Sequence, residues 1–185
     1  FLNEKYFSNP FDAVENAIVY ANRTVYNQAL GNDYWHGMGT TVLLLLIRDD
    51  RIYYGHAGDS RLYLQRNHVL DQMTEDHSFV QQLLKNGLIS RKEALTHPRR
   101  HEITKAIGLN LILIPDVSPR TIIPQNDDFI MLCTDGLTNL VSDTDISKIL
   151  DNPYNLNEKA AKLVSRANKS GGTDNISVIL IRFHN

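Results

Sequence analysis

Two short stretches place a carboxylate at the mouth of an apolar run. In "IMLCTDG", Ile130 to Cys133 lead into Thr134-Asp135-Gly136, and in "GGTDNISVILI", Thr173-Asp174-Asn175 come just before the apolar run. A strand end fixes a side chain rigidly. Two carboxylates that converge on one spot repel each other, and a shared cation is the usual remedy. Hard Mg²⁺ or Mn²⁺ suits such an all-oxygen set. Asp-Gly and Asp-Asn also make ordinary turns, so spacing alone leaves both possibilities open for Asp135 with Gly136 and for Asp174 with Asn175.

Other constellations carry less. In "GHAGDSRLYL", Gly58-Asp59-Ser60 stands where two strands meet, and a nucleophilic Ser60 would need a histidine base and an orienting acid. No convincing pair is in sight, and a hairpin is not the strand-turn-helix elbow that such serines occupy. Gly58-Asp59 is expected to shape a hairpin. In "TEDHS", Asp76 and His77 could both ligate a metal, but the seven histidines are scattered. His77 or Ser78 is expected to cap the helix that follows, and whether Asp76 is an oxygen ligand stays open. "GMGTT" has glycines but no following lysine or helix, so it is not a phosphate loop. Arg99, Arg100 and His101 of "HPRRH" form the one basic patch.

The elements that must position these residues follow from periodicity. Ser8-Asn9-Pro10 reads as a helix start, and Phe11, Val14, Ala17, Ile18, Ala21 and Val25 keep helical spacing to about Leu30. Four strands follow: Thr41 to Ile47, "RIYYGHA", "SRLYLQ" and "HVLDQM". They are joined by "RDD", Gly58-Asp59 and a tight turn at Arg66-Asn67, as in an antiparallel meander. Thr41 to Ile47 lacks polar alternation, which predicts cover on both faces. "HSFVQQLLKNG", "SRKEAL" with its Ser90/Glu93 capping box, and "HPRRHEITKAIG", interrupted by Pro98, make a broken helical excursion. Strands return at "DVSPRTIIP" and "FIMLCTD". Helices are expected after Ser142 and over about Asn157 to Asn168, stopped by Gly171-Gly172, and "NISVILIRF" is the last strand. Antiparallel strands in runs, with helices before, between and after, give an α+β fold.

Bulk properties bound the rest. The 185 residues suit one domain that buries roughly 70% of its unfolded surface. Nineteen Lys and Arg against 21 Asp and Glu give a charge of -2, which lends no support to a nucleic-acid partner or a membrane surface. The longest apolar run, Val42 to Ile47, is too short to span a bilayer. Cys133, the only cysteine, leaves no internal disulfide and fits a reducing, cytoplasmic setting.

Taken in order, "GMGTTVLLLLI", "YYGHAGDSRLYL", "TEDHS", "TDGLTNLVSDTDI" and "GGTDNISVILI" resemble the metal-dependent Ser/Thr protein phosphatases of the 2C type, in their compact bacterial form. The likeness covers almost all of residues 1–185. It implies a four-layer α-β-β-α sandwich, two antiparallel sheets flanked by helix pairs, with a flap subdomain at 77–108. It also implies two Mg²⁺ or Mn²⁺ ions, with Asp135 and Asp174 among their ligands. Asp76 would help to hold a third, weaker ion. Asp59, Gly136 and Asn175 would support the site. Arg99, Arg100 and His101, in the flap, could contact a phosphopeptide, although such a cluster is more often a solvated face. The nucleophile would be a metal-activated water, so no side chain, Ser60 and Cys133 included, acts covalently. Substrates would be phosphoserine and phosphothreonine proteins made by a cognate Ser/Thr kinase. Two other functions fit the same likeness: an inactive phosphoprotein-binding pseudophosphatase, and a regulatory phosphatase of the anti-sigma-antagonist type.

The sequence departs from the family pattern at its start. "FLNEKYF" has no Met and falls inside the first long helix region. The family's phosphate-binding Arg, its Glu-Asp pair and the Asp-Gly whose aspartate bridges the two metals are not matched. The expectation is an N-terminally truncated fragment with about half a metal site, uncovered strand edges and weak turnover.

Overall fold

The computed structural model describes residues 9–184. They divide into two compact units with interleaved segments. The first comprises the described residues up to Asp59 together with Asp76–Ile123, and the second Ser60–Glu75 with the described residues from Pro124.

In the first unit, α1 (Pro10–Leu30) begins as its sequence dictates. Asn9 Oδ1 accepts the Phe11 amide at 3.1 Å, and Pro10 has no N–H to satisfy. Ser8 lies outside the described residues. Val14 and Ile18 are buried, packing with Phe11, Ala21 and Val25 against Val42, Leu44, Leu46 and Tyr53. Those partners lie on β1 (Val42–Arg48) and β2 (Arg51–Ala57), antiparallel from Val42 opposite Ala57 to Arg48 opposite Arg51. Gly55 admits the helix, since a Cβ there would stand 2.7 Å from Val14 Cγ1. Asp49 and Asp50 both take positive φ, the type I′ geometry that matches strand twist. Every residue of β1 keeps some exposure, Ile47 46%, so cover on both faces is not what the described residues show.

Two other expectations fail here for identifiable reasons. "DVSPRTIIP" yields only β5 (Asp116–Val117) on the far edge of β2, plus a bridge from Ile122 to Ile52. Pro119 cannot donate to a ladder, and it interrupts the strand. "HPRRHEITKAIG" forms turns rather than a helix: the Arg100 amide reaches His97 O and the Glu102 amide reaches Arg99 O. Pro98 biases His97 to extended backbone, φ -64 and ψ 135. Before it, α2 (Phe79–Lys85) is capped by Ser78 Oγ, and α3 (Arg91–Thr96) has the expected Ser90/Glu93 capping box.

The second unit holds a four-stranded antiparallel sheet in the order β4-β3-β6-β7. Its strands are β3 (Arg61–Arg66), β4 (Val69–Gln72), β6 (Phe129–Cys133) and β7 (Val178–Arg182). The β3–β4 turn is Asn67-His68, one residue later than expected. Arg66 stays in the strand, opposite Val69, where its guanidinium grips Asp128 at 3.0 and 2.6 Å. Asn67 and His68 carry the positive φ values instead. A short α4 (Asp135–Thr138), which periodicity did not announce, follows β6. Then come α5 (Asp143–Asp151), capped by Ser142, and α6 (Leu156–Lys169), with an Asn155/Glu158 capping box. Tyr63, Met131, Leu137, Ile146 and Leu163 are fully buried in this unit's core. The buried Lys159 donates to the carbonyls of Leu150 and Asn152 at the end of α5.

The strands are therefore not one meander. β2 and β3 belong to different sheets, and Gly58-Asp59 carries the chain from one to the other rather than closing a hairpin. The backbone groups of Gly58 are taken by His77: Gly58 N–H donates to His77 Nδ1 and His77 N–H donates to Gly58 O, both at 3.0 Å. No helix of the described residues is long and apolar enough to cross a membrane.

Candidate metal centre

Asp135 and Asp174 are brought onto touching loops of the second unit. The pairing of β6 with β7 runs to Cys133 opposite Val178, and Thr134 extends it by its side chain. Thr134 N–H donates to Ser177 O at 3.2 Å, Ser177 N–H donates to Thr134 Oγ1 at 3.1 Å, and that hydroxyl donates to Asn175 O at 3.2 Å. The residue before each aspartate or just after it is thus tied across the strand ends. Gly136 completes the approach, because a Cβ there would lie 2.3 Å from the Asn175 carbonyl oxygen.

Each carboxylate is further oriented by its own element. Asp135 is the first residue of α4, and its Oδ2 accepts from Asn139 Nδ2 at 3.0 Å, one helical turn on. Asp174 Oδ1 accepts the Asn175 amide at 2.7 Å. Neither forms an ion pair with a lysine or arginine among the described residues. The two carboxylates on abutting loops are oxygen donors of the kind that a hard divalent ion takes.

The remaining expected residues lie in the first unit. Asp59 is half-buried in the Gly58–Ser60 crossover, and Asp76 is half-buried next to His77. Ser78, not His77, caps α2, its Oγ accepting the Gln81 amide at 3.2 Å. His77 instead serves as a strut. Its ring stacks on His56 with centroids 4.5 Å apart and planes 5° from parallel, and its Nε2 lies 3.2 Å from Asp116 Oδ2. Burial pushes the His77 imidazole below the usual histidine range. Burial would raise Asp116, but Lys105, 2.6 Å away, and His77 together hold it below the usual carboxylate range. Among the described residues no three His, Cys, Asp or Glu side chains gather tightly enough to enclose an ion.

The basic patch is divided. Arg99 is engaged by Glu102 through two bonds of 2.7 and 2.6 Å, and its guanidinium sits 3.6 Å over the Phe79 ring. Arg100 and His101 are exposed. Ser60 and Cys133 are buried, with Cys133 Sγ directed at Arg61 O. Sequence reasoning missed Thr134, Asn139, Ser177 and the strut role of His77. The i, i+4 spacing of Asp135 and Asn139 is a signal that could have been read. The His77 contact to Gly58 spans 19 residues and leaves no local trace.

Residues 4–180 match the family described as Protein phosphatase 2C. The chain is 42% identical over 147 residues to the serine/threonine phosphatase stp of Listeria monocytogenes, a match covering 79% of this chain and 57% of that protein. It therefore spans less than two thirds of the length of that relative. Among solved structures, serine/threonine phosphatase Stp1 from Staphylococcus aureus superposes with a TM-score of 0.89 at 30% identity, covering 100% of this chain and 71% of that one. The catalytic domain of serine/threonine protein phosphatase PstP, solved in complex with two manganese ions, gives 0.86 at 30%, covering 96% and 73%. The α+β class, with two antiparallel sheets and their helices, is thus the fold of these phosphatases. With its ordered motifs, its fold and a match along nearly its whole length in agreement, the chain belongs to the protein phosphatase 2C family.

Proposed function

We propose that this chain belongs to a metal-dependent phosphatase that hydrolyses phosphoserine and phosphothreonine monoesters of proteins. The observation that carries the proposal is the Thr134–Asn175–Ser177 tie, which sets Asp135 and Asp174 on touching loops, with no lysine or arginine paired to either among the described residues. Family membership supports it, as do the Listeria relative's name and the manganese ions of the PstP structure.

Asp135 and Asp174 would hold Mg²⁺ or Mn²⁺, two ions in the whole site, and Asp76 would be a ligand of a third, weaker one. Bound ions would neutralise charge on the phosphoryl oxygens and make a water acidic enough to attack phosphorus in line. Gly136 keeps the two aspartate loops in contact, and Asn139 and the Asn175 amide fix one oxygen of each carboxylate. Asp59 supports the crossover beside His77. The burial of Ser60 and Cys133 supports a reaction without a covalent phosphoenzyme. Because Arg99 is engaged by Glu102 and Phe79, Arg100 and His101 are the flap side chains proposed to meet substrate. A cognate Ser/Thr kinase and a cytoplasmic location complete the proposal, the latter supported by the free thiol of Cys133.

The test is hydrolysis of para-nitrophenyl phosphate and a phosphothreonine peptide with and without Mn²⁺, in this chain and in a chimera that adds the preceding segment of a full-length relative, with Asp174→Asn as control. Turnover by the chimera is expected to require Mn²⁺ and to fall by about 10²–10³ in the mutant, the size seen when one charge-stabilising group is removed from a hydrolytic site. This chain alone is expected to turn over weakly. Metal-independent hydrolysis, or an Asp174→Asn protein as active as the parent, would remove the proposal. Phosphopeptide binding without turnover would favour a binding module.

A further inference from the structure

The segment that carries Asp76 and the crossover that carries Asp59 are joined through one side chain. His77 N–H donates to Gly58 O, and Gly58 N–H donates back to His77 Nδ1, so the two backbones are clasped by a reciprocal pair of 3.0 Å bonds. An imidazole nitrogen that accepts from an amide carries no proton, which assigns the proton to Nε2, the nitrogen facing Asp116 Oδ2 at 3.2 Å. Asp116 is held in turn by Lys105 Nζ at 2.6 Å, and the ring face is covered by His56. The carbonyl of His77 is also used, accepting the Thr104 amide at 2.7 Å. Gly58 leaves no room for a side chain: its φ is +122, and a Cβ would meet Thr41 Cγ2 at 2.3 Å. A ring with only 11% of its side-chain surface exposed, bonded at Nδ1, close to Asp116 at Nε2 and covered on one face, adjoins the proposed ligand Asp76 directly.

We propose that His77 is a positioning residue that sets Asp76 and the Gly58–Asp59 crossover as one rigid piece, and so governs the affinity of the ion that Asp76 helps to hold. The inference rests on the metal-dependent function proposed above. It assigns His77 no contact with metal or substrate. Partners of this kind typically change metal affinity by about 10–100-fold when removed. The essential feature is an acceptor at the Nδ1 position. Asparagine offers an amide oxygen near that position, whereas leucine fills the space without an acceptor.

Mn²⁺ binding, followed by calorimetry and by the free-ion electron paramagnetic resonance signal, tests this in the parent chain, Asp174→Asn, Asp76→Asn, His77→Leu, His77→Asn and Asp76→Asn/His77→Leu. Exchange of the Gly58 amide with solvent is measured alongside. His77→Leu is expected to weaken the Asp76-dependent component at least about tenfold and to speed Gly58 exchange. His77→Asn should stay within about threefold of the parent on both readouts. The double variant should bind no more weakly than Asp76→Asn alone, because His77 acts through Asp76. Should His77→Leu lose its native circular dichroism, His77→Gln, which also withdraws the acceptor at that position, replaces it with the same expectations. His77→Leu binding like the parent, or a further tenfold loss on the Asp76→Asn background, would overturn the inference while leaving the metal site standing. A parent chain and Asp174→Asn that both ignore Mn²⁺ would overturn the functional proposal and this inference together, even if Gly58 exchange responds.

Discussion

At the scale of single residues, Gly136 makes the sharpest demand. Its backbone needs no glycine conformation, so the requirement is purely one of space: a methyl group would sit 2.3 Å from the Asn175 carbonyl oxygen. Gly136→Ala must therefore separate the Asp135 and Asp174 loops. It is expected to destabilise the fold by about 1–3 kcal/mol, the usual cost of overpacking, and to weaken Mn²⁺ binding with it. Urea denaturation and Mn²⁺ calorimetry on the same protein check both, and unchanged Mn²⁺ affinity would mean that the loop contact does not set the ligand geometry. Asp135 and Asp174 could be singled out in the sequence because each stands beside an apolar run, and the structure brings their loops together at Gly136 and Asn175. The strut role of His77 was not legible, because its partner Gly58 is brought to it only by the folded chain.

At the scale of elements, the strand ends and helix caps carry predictions of their own. Thr134 extends the β6–β7 pairing with its hydroxyl, accepting from Ser177 and donating to Asn175. Thr134→Val keeps the shape and removes both bonds, and should cost about 0.5–1.5 kcal/mol, with faster amide exchange at Ser177 as the local signature. An unchanged Ser177 amide would show that the hydroxyl is not what ties the strand ends. In α3, the Glu93 carboxylate accepts from the Ser90 amide and hydroxyl, both at 2.7 Å, and these bonds hold it below the usual carboxylate range. A carboxylate depressed in the folded state contributes stability above its unfolded value, lost as pH falls through the folded one. The start of α3 should thus be intact near neutrality and fray in acid below about pH 4.3, the ordinary glutamate value. NMR titration of the Glu93 carboxyl carbon should give a midpoint below that of a short peptide with the same residues, and an equal midpoint would mean the box does not persist in solution. The Ser90/Glu93 capping box, α1 and the turn at Asp49-Asp50 are written in local spacing, which is why most elements could be read directly. Residues 97–108 and α4 could not, since Pro98 breaks a helical pattern and four residues are too few to show a period.

At the scale of the whole chain, what local pattern hid was sheet membership. Four strands in succession look like a meander, but β1 and β2 join one sheet while β3 and β4 join another with β6 and β7. The chain passes between its two contact units at Asp59–Ser60, Glu75–Asp76 and Ile123–Pro124. That information lies in long-range pairing, such as Arg61 opposite Cys133, not in any window of sequence. The division has a thermodynamic consequence that can be measured. Leu163 is fully buried in the core cluster of the second unit, with Tyr63, Met131 and Ile146. Leu163→Ala should cost about 2–5 kcal/mol through lost burial and the cavity left behind, a large share of the roughly 5–15 kcal/mol that holds a domain folded. Native-state hydrogen exchange should then show the loss first in β6, β7 and α6, whose amides belong to the damaged unit, with a smaller acceleration in β1 and β2. Equal acceleration in all five elements would instead mean that the chain unfolds as one cooperative body, and that the two contact units are not separate folding units.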